Sequence, residues 1–204
     1  MTLRTAGPGD LGAIMALERA SFPTDAWSEA MMREELHSPY GRYLVVEEHG
    51  RLLGYGGVRA VRGAADADIQ TLAVADDARG RGRGRALLLA LLELARERGA
   101  RTVFLEVRAD NPVAEALYRS VGFVELGRRA RYYQPDDVDA VVMKLDLRGW
   151  AARPRQEASR LQGEPGASAP RVPAGAVSPC TRDGEGRSPA PADHALAADG
   201  GWCS

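Results

Sequence analysis

The sequence predicts an α/β protein built on a mixed sheet of about seven strands flanked by about four helices. Three observations carry this expectation. Across residues 1–148 the apolar residues switch repeatedly between strand-like alternation and helical spacing. Gly, Pro and Asn sit at the switches. Finally, the strand-like run Ile69, Leu72, Val74 stops at Arg79-Gly80-Arg81-Gly82-Arg83-Gly84, and the chain reopens with Leu87, Leu88, Leu91, Leu92 and Leu94 at helical spacing.

The elements follow in order. Leu3 to Ala6 suggests a short first strand. Asp10 is expected to cap a helix carrying Leu11, Ile14, Met15 and Leu17, which Phe22-Pro23 breaks. Ser28 can cap a second helix through Met31, Met32 and Leu36. Tyr43 to Glu47 forms a strand, His49-Gly50 turns it, and Leu52 to Val61 returns. Ile69 to Val74 is the next strand, followed by a helix from about Gly84 to Arg98 that Gly99 ends. Thr102 to Arg108 reads as a buried strand. Asn111-Pro112 opens a helix to about Ser120, and Gly122 closes it. Phe123 to Gly127 and Val138 to Leu145 are the last strands. The predicted order is β-α-α-β-β-β-α-β-α-β-β.

At 204 residues with 45% hydrophobic content, the chain has the size of one domain plus an extension. The aromatic share of 6% makes the core mainly aliphatic. A net charge of −1 argues against a chain built to grip nucleic acid or an anionic membrane. No apolar run approaches the about 18 residues of a membrane span. The first residues, Met1-Thr2-Leu3-Arg4, lack a signal-peptide hydrophobic segment. Cys180 and Cys203 offer no disulfide framework or metal-ligand spacing, so no metal is expected and a reducing cytoplasm fits.

Composition changes near Arg148. Pro154, Pro165, Pro170, Pro173, Pro179, Pro189 and Pro191 follow, among scattered Gly, Ser and Ala. A segment this poor in aliphatic periodicity cannot bury enough surface to offset chain entropy. Residues 1–148 are therefore expected to form the domain, and 149–204 a disordered, low-complexity tail. That tail reads as a linker, a partner-binding segment or an unselected extension.

The glycine-arginine stretch is the most informative chemistry. Glycines between a strand and a helix let successive N–H groups point at one spot, and the new helix adds its positive dipole end. This predicts a pyrophosphate cradle that arginines close from outside. No Gly-Lys-Ser/Thr follows, so it is not a Walker loop. Arg85 and Leu87 occupy the third small position of the dinucleotide fingerprint, which therefore fails. An Arg-Gly tract that binds RNA is the remaining rival.

Other candidates stay two-sided at this stage. Glu106 sits within Val103-Phe104-Leu105-Glu106-Val107, and alternation puts Phe104, Glu106 and Arg108 on one face. It reads either as a solvent-face glutamate or as a base with partial burial. Tyr118 is either core or a phenol, pKa about 10, able to protonate a leaving thiolate. His37, His49 and His194 share no catalytic spacing. Arg128, Arg129 and Arg131 precede Tyr132-Tyr133 on an expected hairpin loop, suited to RNA or to an extended peptide. Asp136, Asp137 and Asp139 cancel that charge.

Together these pieces resemble the GNAT acetyltransferase superfamily. The cradle matches its Arg/Gln-x-x-Gly-x-Gly/Ala acetyl-CoA motif as Arg79, Gly82 and Gly84. Gln70-Thr71-Leu72-Ala73-Val74, Leu105-Glu106-Val107-Arg108-Ala109-Asp110-Asn111, Ala116-Leu117-Tyr118-Arg119-Ser120-Val121-Gly122-Phe123 and Arg131-Tyr132-Tyr133 resemble its ribosomal-protein alanine N-terminal acetyltransferases, the RimI family. The likeness covers about residues 1–147.

The resemblance implies roles. Leu72, Ala73 and Val74 would line the cofactor strand, with backbone groups of Leu72 and Val74 holding the pantetheine and acetyl carbonyl. Arg79, Gly80, Arg81, Gly82, Arg83, Gly84 and Arg85 would wrap the pyrophosphate of acetyl-CoA. Glu106 would be general base and Tyr118 general acid. Asn111 would orient the cofactor or cap the Tyr118 helix. Phe22, Trp27, Tyr132 and Tyr133 would line the acceptor. The implied acceptor is a protein N-terminus, small-subunit ribosomal protein eighteen first; a monomer is the default expectation for the chain, in the cytoplasm that the cysteines suggest. Asp110 stands where the family often has Ser, and the Phe22-Pro23-Thr24-Asp25-Ala26-Trp27 loop is longer than its Phe-Pro-Trp form.

Other functions fit parts of the pattern. The same fold could acetylate a small-molecule amine or a protein lysine, since fold does not fix substrate. A non-catalytic acetyl-CoA-binding module would not need both Glu106 and Tyr118. RNA binding through the arginines would be strongly salt-dependent.

Overall fold

The computed structural model describes residues 1–151. Seven strands run β1 (Thr2–Thr5), β2 (Gly41–Glu48), β3 (Arg51–Ala60), β4 (Asp66–Val74), β5 (Thr102–Arg108), β6 (Val124–Tyr133) and β7 (Val138–Asp146). The helices are α1 (Leu11–Ser21), α2 (Glu29–His37), α3 (Arg83–Glu97), α4 (Pro112–Val121) and the short α5 (Leu147–Ala151). Helix α5 crosses the expected domain boundary at Arg148. From residue 152 onward the expected tail lies outside the described residues.

The strands form one sheet in the order β1-β2-β3-β4-β5-β7-β6. Only β4 and β5 pair in parallel, with α3 as the crossover between them. The β2–β3 hairpin turns on His49 and Gly50, both at positive φ, as a two-residue turn requires. Two cores cover the two faces. Helices α3 and α4 bury Leu87, Leu88, Leu91, Leu92, Tyr118 and Val121 against Val103, Leu105 and Val107 of β5. Helices α1 and α2 bury Ile14, Met15 and Met32 against Tyr43, Val45, Tyr55 and Ala73. Burying each such side chain is worth about 1.5–3 kcal/mol. The cores therefore fix which way each strand faces.

Two local expectations are corrected. Asp10 does not cap α1 through its side chain. It ends a 3-10 turn, Pro8–Asp10, where its carboxylate accepts from the Gly7 N–H at 2.8 Å and pairs with Arg4 at 2.8 Å. Ser28 does cap α2, accepting from the Met31 N–H at 3.2 Å. The second correction concerns β6, which extends well past Gly127. Arg128 to Tyr133 are strand residues, and the hairpin turn lies beyond them. As an edge strand with an exposed face, β6 shows no alternation in sequence. Gln70 forms a bulge in β4: Gly57 pairs with Thr71 and Val58 with Ile69. Bulges bend the strand that carries them.

Candidate active site

That bend sits where β4 leaves β5. The two strands pair only at Asp66–Thr102, Ala67–Val103 and Asp68–Phe104. Beyond Phe104 they diverge and open a wedge. The Ala75 N–H donates to the Leu53 carbonyl of β3 at 2.9 Å. The carbonyls of Thr71 and Ala73 also lie on the β3 side, against Gly56 and Gly54. Strand alternation therefore turns the peptide groups of Leu72 and Val74 toward the wedge. Ala73, expected on the cofactor strand, faces β3 with its backbone and the α1–α2 core with its side chain.

The cradle forms at the wide end of this wedge. Gly80 and Gly82 have φ of 72° and 74°, a left-handed conformation that favours glycine, and a Cβ at either would meet open space. Conformation rather than crowding demands glycine there. No side chain caps α3, whose first helical bond runs from the Ala86 N–H to the Gly82 carbonyl. The first amides of a helix have no intrahelical acceptor, which makes such a helix start suited to an anion. These features fit the pyrophosphate of an acyl-CoA.

The arginines divide their work in a way the sequence did not reveal. Arg81 is exposed at the cradle. Arg79 donates from Nε to the Val74 carbonyl at 3.0 Å and pairs with Asp76 at 2.7 Å. Arg85 donates to Ser120 Oγ at 2.8 Å. Arg83 is buried: its guanidinium reaches Glu48 of β2 at 2.8 Å and the Ala78 carbonyl at 3.2 Å. Its side chain holds the loop onto the sheet, so only its backbone remains for a phosphate.

On the other side of the wedge, β5 alternates as expected, with Val103, Leu105 and Val107 buried and Glu106 partly open. Glu106 pairs with Arg129 Nη1 at 2.8 Å. Asn111 caps α4, accepting from the Ala114 N–H at 3.2 Å, with Pro112 in the first turn. That helix presents Tyr118, fully buried and packed edge-on against Phe123 with ring centroids 5.9 Å apart. Its hydroxyl has no hydrogen-bond partner, and burial pushes the phenol well above its usual value.

Tyr133 comes from the opposite face of the sheet. Residues 130–132 bulge between the pairs Arg129–Ala140 and Tyr133–Val138, which re-aims Tyr133 under Arg108. Its hydroxyl is likewise unpartnered. Burial raises its phenol, and Glu106, Tyr132, Asp25 and Tyr118 add to the rise. Tyr132 is half-buried and stacks edge-on with Tyr133.

Phe22 and Trp27 lie in the core, 1% and 4% exposed, within the α1–α2 cluster. The sequence reading also passed over Glu18. It is fully buried, its Oε1 accepts from the Trp27 N–H at 2.9 Å, and its Oε2 accepts from the Tyr55 hydroxyl. Burial pushes its carboxyl up to about 7. Its position on the Ile14-Met15-Glu18 stripe of α1 was the available signal.

Splayed parallel strands, a glycine cradle and an uncapped helix define an acyl-CoA-binding N-acyltransferase architecture. The Acetyltransferase (GNAT) family pattern matches residues 11–123. The putative ribosomal protein bS18-alanine N-acetyltransferase of Bacillus subtilis is 35% identical over 138 residues, 68% of this chain and 90% of the relative. The N-alpha-acetyltransferase RimI of Mycobacterium tuberculosis is 41% identical over 124 residues, covering 60% and 77%. The crystal structure of the Escherichia coli ribosomal-protein-S18-alanine N-acetyltransferase matches with a TM-score of 0.65 and 31% identity, covering 72% of this chain and 93% of that one. The chain belongs to the GNAT family and, within it, to the RimI group of acetyl-CoA-dependent N-acetyltransferases. Among the described residues there is no cluster of metal-ligand type, and no helix is long and apolar enough to cross a membrane.

Proposed function

We propose that the protein acetylates the N-terminal α-amino group of a protein, with the N-terminal alanine of ribosomal protein bS18 the first acceptor to test. The observation that carries this reading is the glycine cradle opening α3 beside strands β4 and β5, whose pairing stops at Asp68–Phe104. The named substrates of the relatives support the choice of acceptor.

In this reading, amides at Leu72, Val74 and the cradle residues 79–85 bind acetyl-CoA, which supplies the thioester carbonyl. Tyr132 and Tyr133 line the acceptor side, and Phe22 and Trp27 support it from the core. Glu106 takes a proton, through water, from the acceptor ammonium, whose free pKa is about 8. The neutral amine attacks the carbonyl; the C–N bond forms and the C–S bond breaks. Tyr118 then donates its proton to the departing sulfur, and the proton shed by the new amide nitrogen passes through water to restore the phenol. Its raised pKa keeps the hydroxyl protonated for that role. The enzyme acts as a cytoplasmic monomer without nucleic acid, membrane or metal.

The test is acetyl-CoA-dependent turnover of peptides beginning with Ala, Ser or Met, beside an N-terminally blocked peptide carrying lysine. Turnover confined to free N-termini supports the reading. Turnover of the blocked peptide, or of a polyamine alone, overturns it in favour of lysine or small-molecule acetylation.

A further inference from the structure

Arg108 ends β5, two residues beyond Glu106 and on the same face of the strand. Its guanidinium contacts three separate segments. Nε and Nη2 donate to Asp110 at 3.0 Å each. Nη2 also donates to Asp136 Oδ2 at 3.0 Å, in the turn between β6 and β7. Nη1 lies 3.7 Å from Asp25 Oδ2, in the loop between α1 and α2. The group also sits 5.2 Å from the centroid of the Tyr133 ring. It is largely buried, its side chain only 12% exposed.

The loop and the turn also touch directly. Thr24 Oγ1 donates to the same Asp136 Oδ2 at 2.8 Å. Three carboxylates therefore converge on one cation. Without it, Asp25, Asp110 and Asp136 would repel one another, and the two segments would part. A guanidinium suits this position because its planar fork offers five donors in fixed directions. Lysine offers one compact charge and could not hold three partners at these angles.

We propose that Arg108 is a positioning residue that clasps the two walls of the acceptor site, holding the α1–α2 loop against the β6–β7 turn above Glu106 and Tyr133. The clasp rests on the acetyl-transfer reading for its catalytic consequence, not for its existence. It acts on acceptor binding, because none of its contacts involves the cradle or β4.

The test uses the full chain carrying Arg108→Lys, Asp136→Ala or Thr24→Val. Hydrogen exchange is followed over residues 22–28 and 131–138. Acetyl-CoA affinity is measured by calorimetry, and kinetics with an alanine-initiated peptide. In each variant both segments should exchange faster together, by about fivefold, the loss of roughly one hydrogen bond. Peptide KM should rise by a similar factor, with kcat and acetyl-CoA affinity within about twofold of wild type. The exposed Thr24→Val change keeps the test open should Arg108→Lys fold poorly. Segments that loosen singly, or not at all, overturn the clasp. Segments that loosen together with an unchanged peptide KM overturn its positioning role. A wild type that turns over no peptide sinks the acetyl-transfer reading alone, and the exchange experiment still decides the clasp.

Discussion

Arg129 reaches across the sheet to Glu106, its Nη1 2.8 Å from Oε1. Register explains the reach. Glu106 pairs with Val142 of β7, and Val142 with Gly127 of β6, so all three share a face. Gly127 has no side chain, and Arg129, one row further on, leans back over the gap. Its guanidinium also sits 5.5 Å from the Tyr132 ring centroid. A carboxylate and an aromatic face already hold a cation here, the environment an acceptor ammonium needs.

Replacing Glu106 by Gln removes the proton acceptor and keeps the shape. At pH 7 kcat should fall by about 100-fold. The defect should shrink as pH rises past about 8, because solvent then deprotonates the acceptor amine. Rate profiles of wild type and Glu106→Gln between about pH 6.5 and 9.5 check this. A deficit of constant size across the range would count against Glu106 as base.

Tyr118→Phe should separate activity from stability. The buried hydroxyl has no partner among the described residues, so the fold carries its desolvation cost. Removing it should raise stability by about 1 kcal/mol, while kcat falls about 100-fold. Denaturant unfolding and steady-state rates on one preparation decide it. Lost stability would mean that the hydroxyl has a structural partner.

The strand and helix order was legible because each change of hydrophobic period coincides with a turn residue. The site was legible only in part. Glu106 and Tyr118 stand in motifs whose neighbours alternate clearly, and Asn111 announced its own cap. The direction of the Arg83 side chain was not legible, because arginine reads as solvent-facing, whereas helical phase turns it inward to Glu48. Phe22 and Trp27 read as recognition aromatics, but a loop rich in apolar residues can equally close a core. Asp10 followed the local capping rule until Arg4 of β1 claimed its carboxylate. In each case a tertiary partner overrode a local preference.

Arg81 and Arg83 should therefore respond in opposite ways. Arg81→Ala should weaken acetyl-CoA binding and leave the melting temperature unchanged, since its side chain is exposed at the cradle. Arg83→Met should lower the melting temperature by removing the contacts to Glu48 and the Ala78 carbonyl. Its effect on acetyl-CoA affinity should be the smaller of the two, because the backbone amide survives. Calorimetric titration and thermal unfolding of both variants check the division. Equal losses of affinity would return Arg83 to the phosphate.

Glu18 makes the pH dependence of stability predictable. Its carboxyl lies at about 7 in the folded chain against an ordinary 4.5, raised by burial, opposed by the Trp27 N–H, and raised further by Asp25. The folded state thus holds this proton more tightly than the unfolded state. Its contribution is complete below about pH 4.5 and is lost as pH rises through about 7. Glu18→Gln keeps an oxygen for the Trp27 N–H and offers an amide to the Tyr55 hydroxyl, which can turn its own proton to Thr71 Oγ1 at 3.2 Å. The variant should gain on wild type steadily from about pH 5 to 8, by an amount of order a few kcal/mol. Asp25 is also raised by burial, with Arg108 opposing, and its repulsion of the Glu18 carboxylate is part of what the Glu18→Gln change removes. Urea unfolding of the pair across that range measures the gain directly. A difference that does not change with pH would mean that Glu18 stays ionised in the fold.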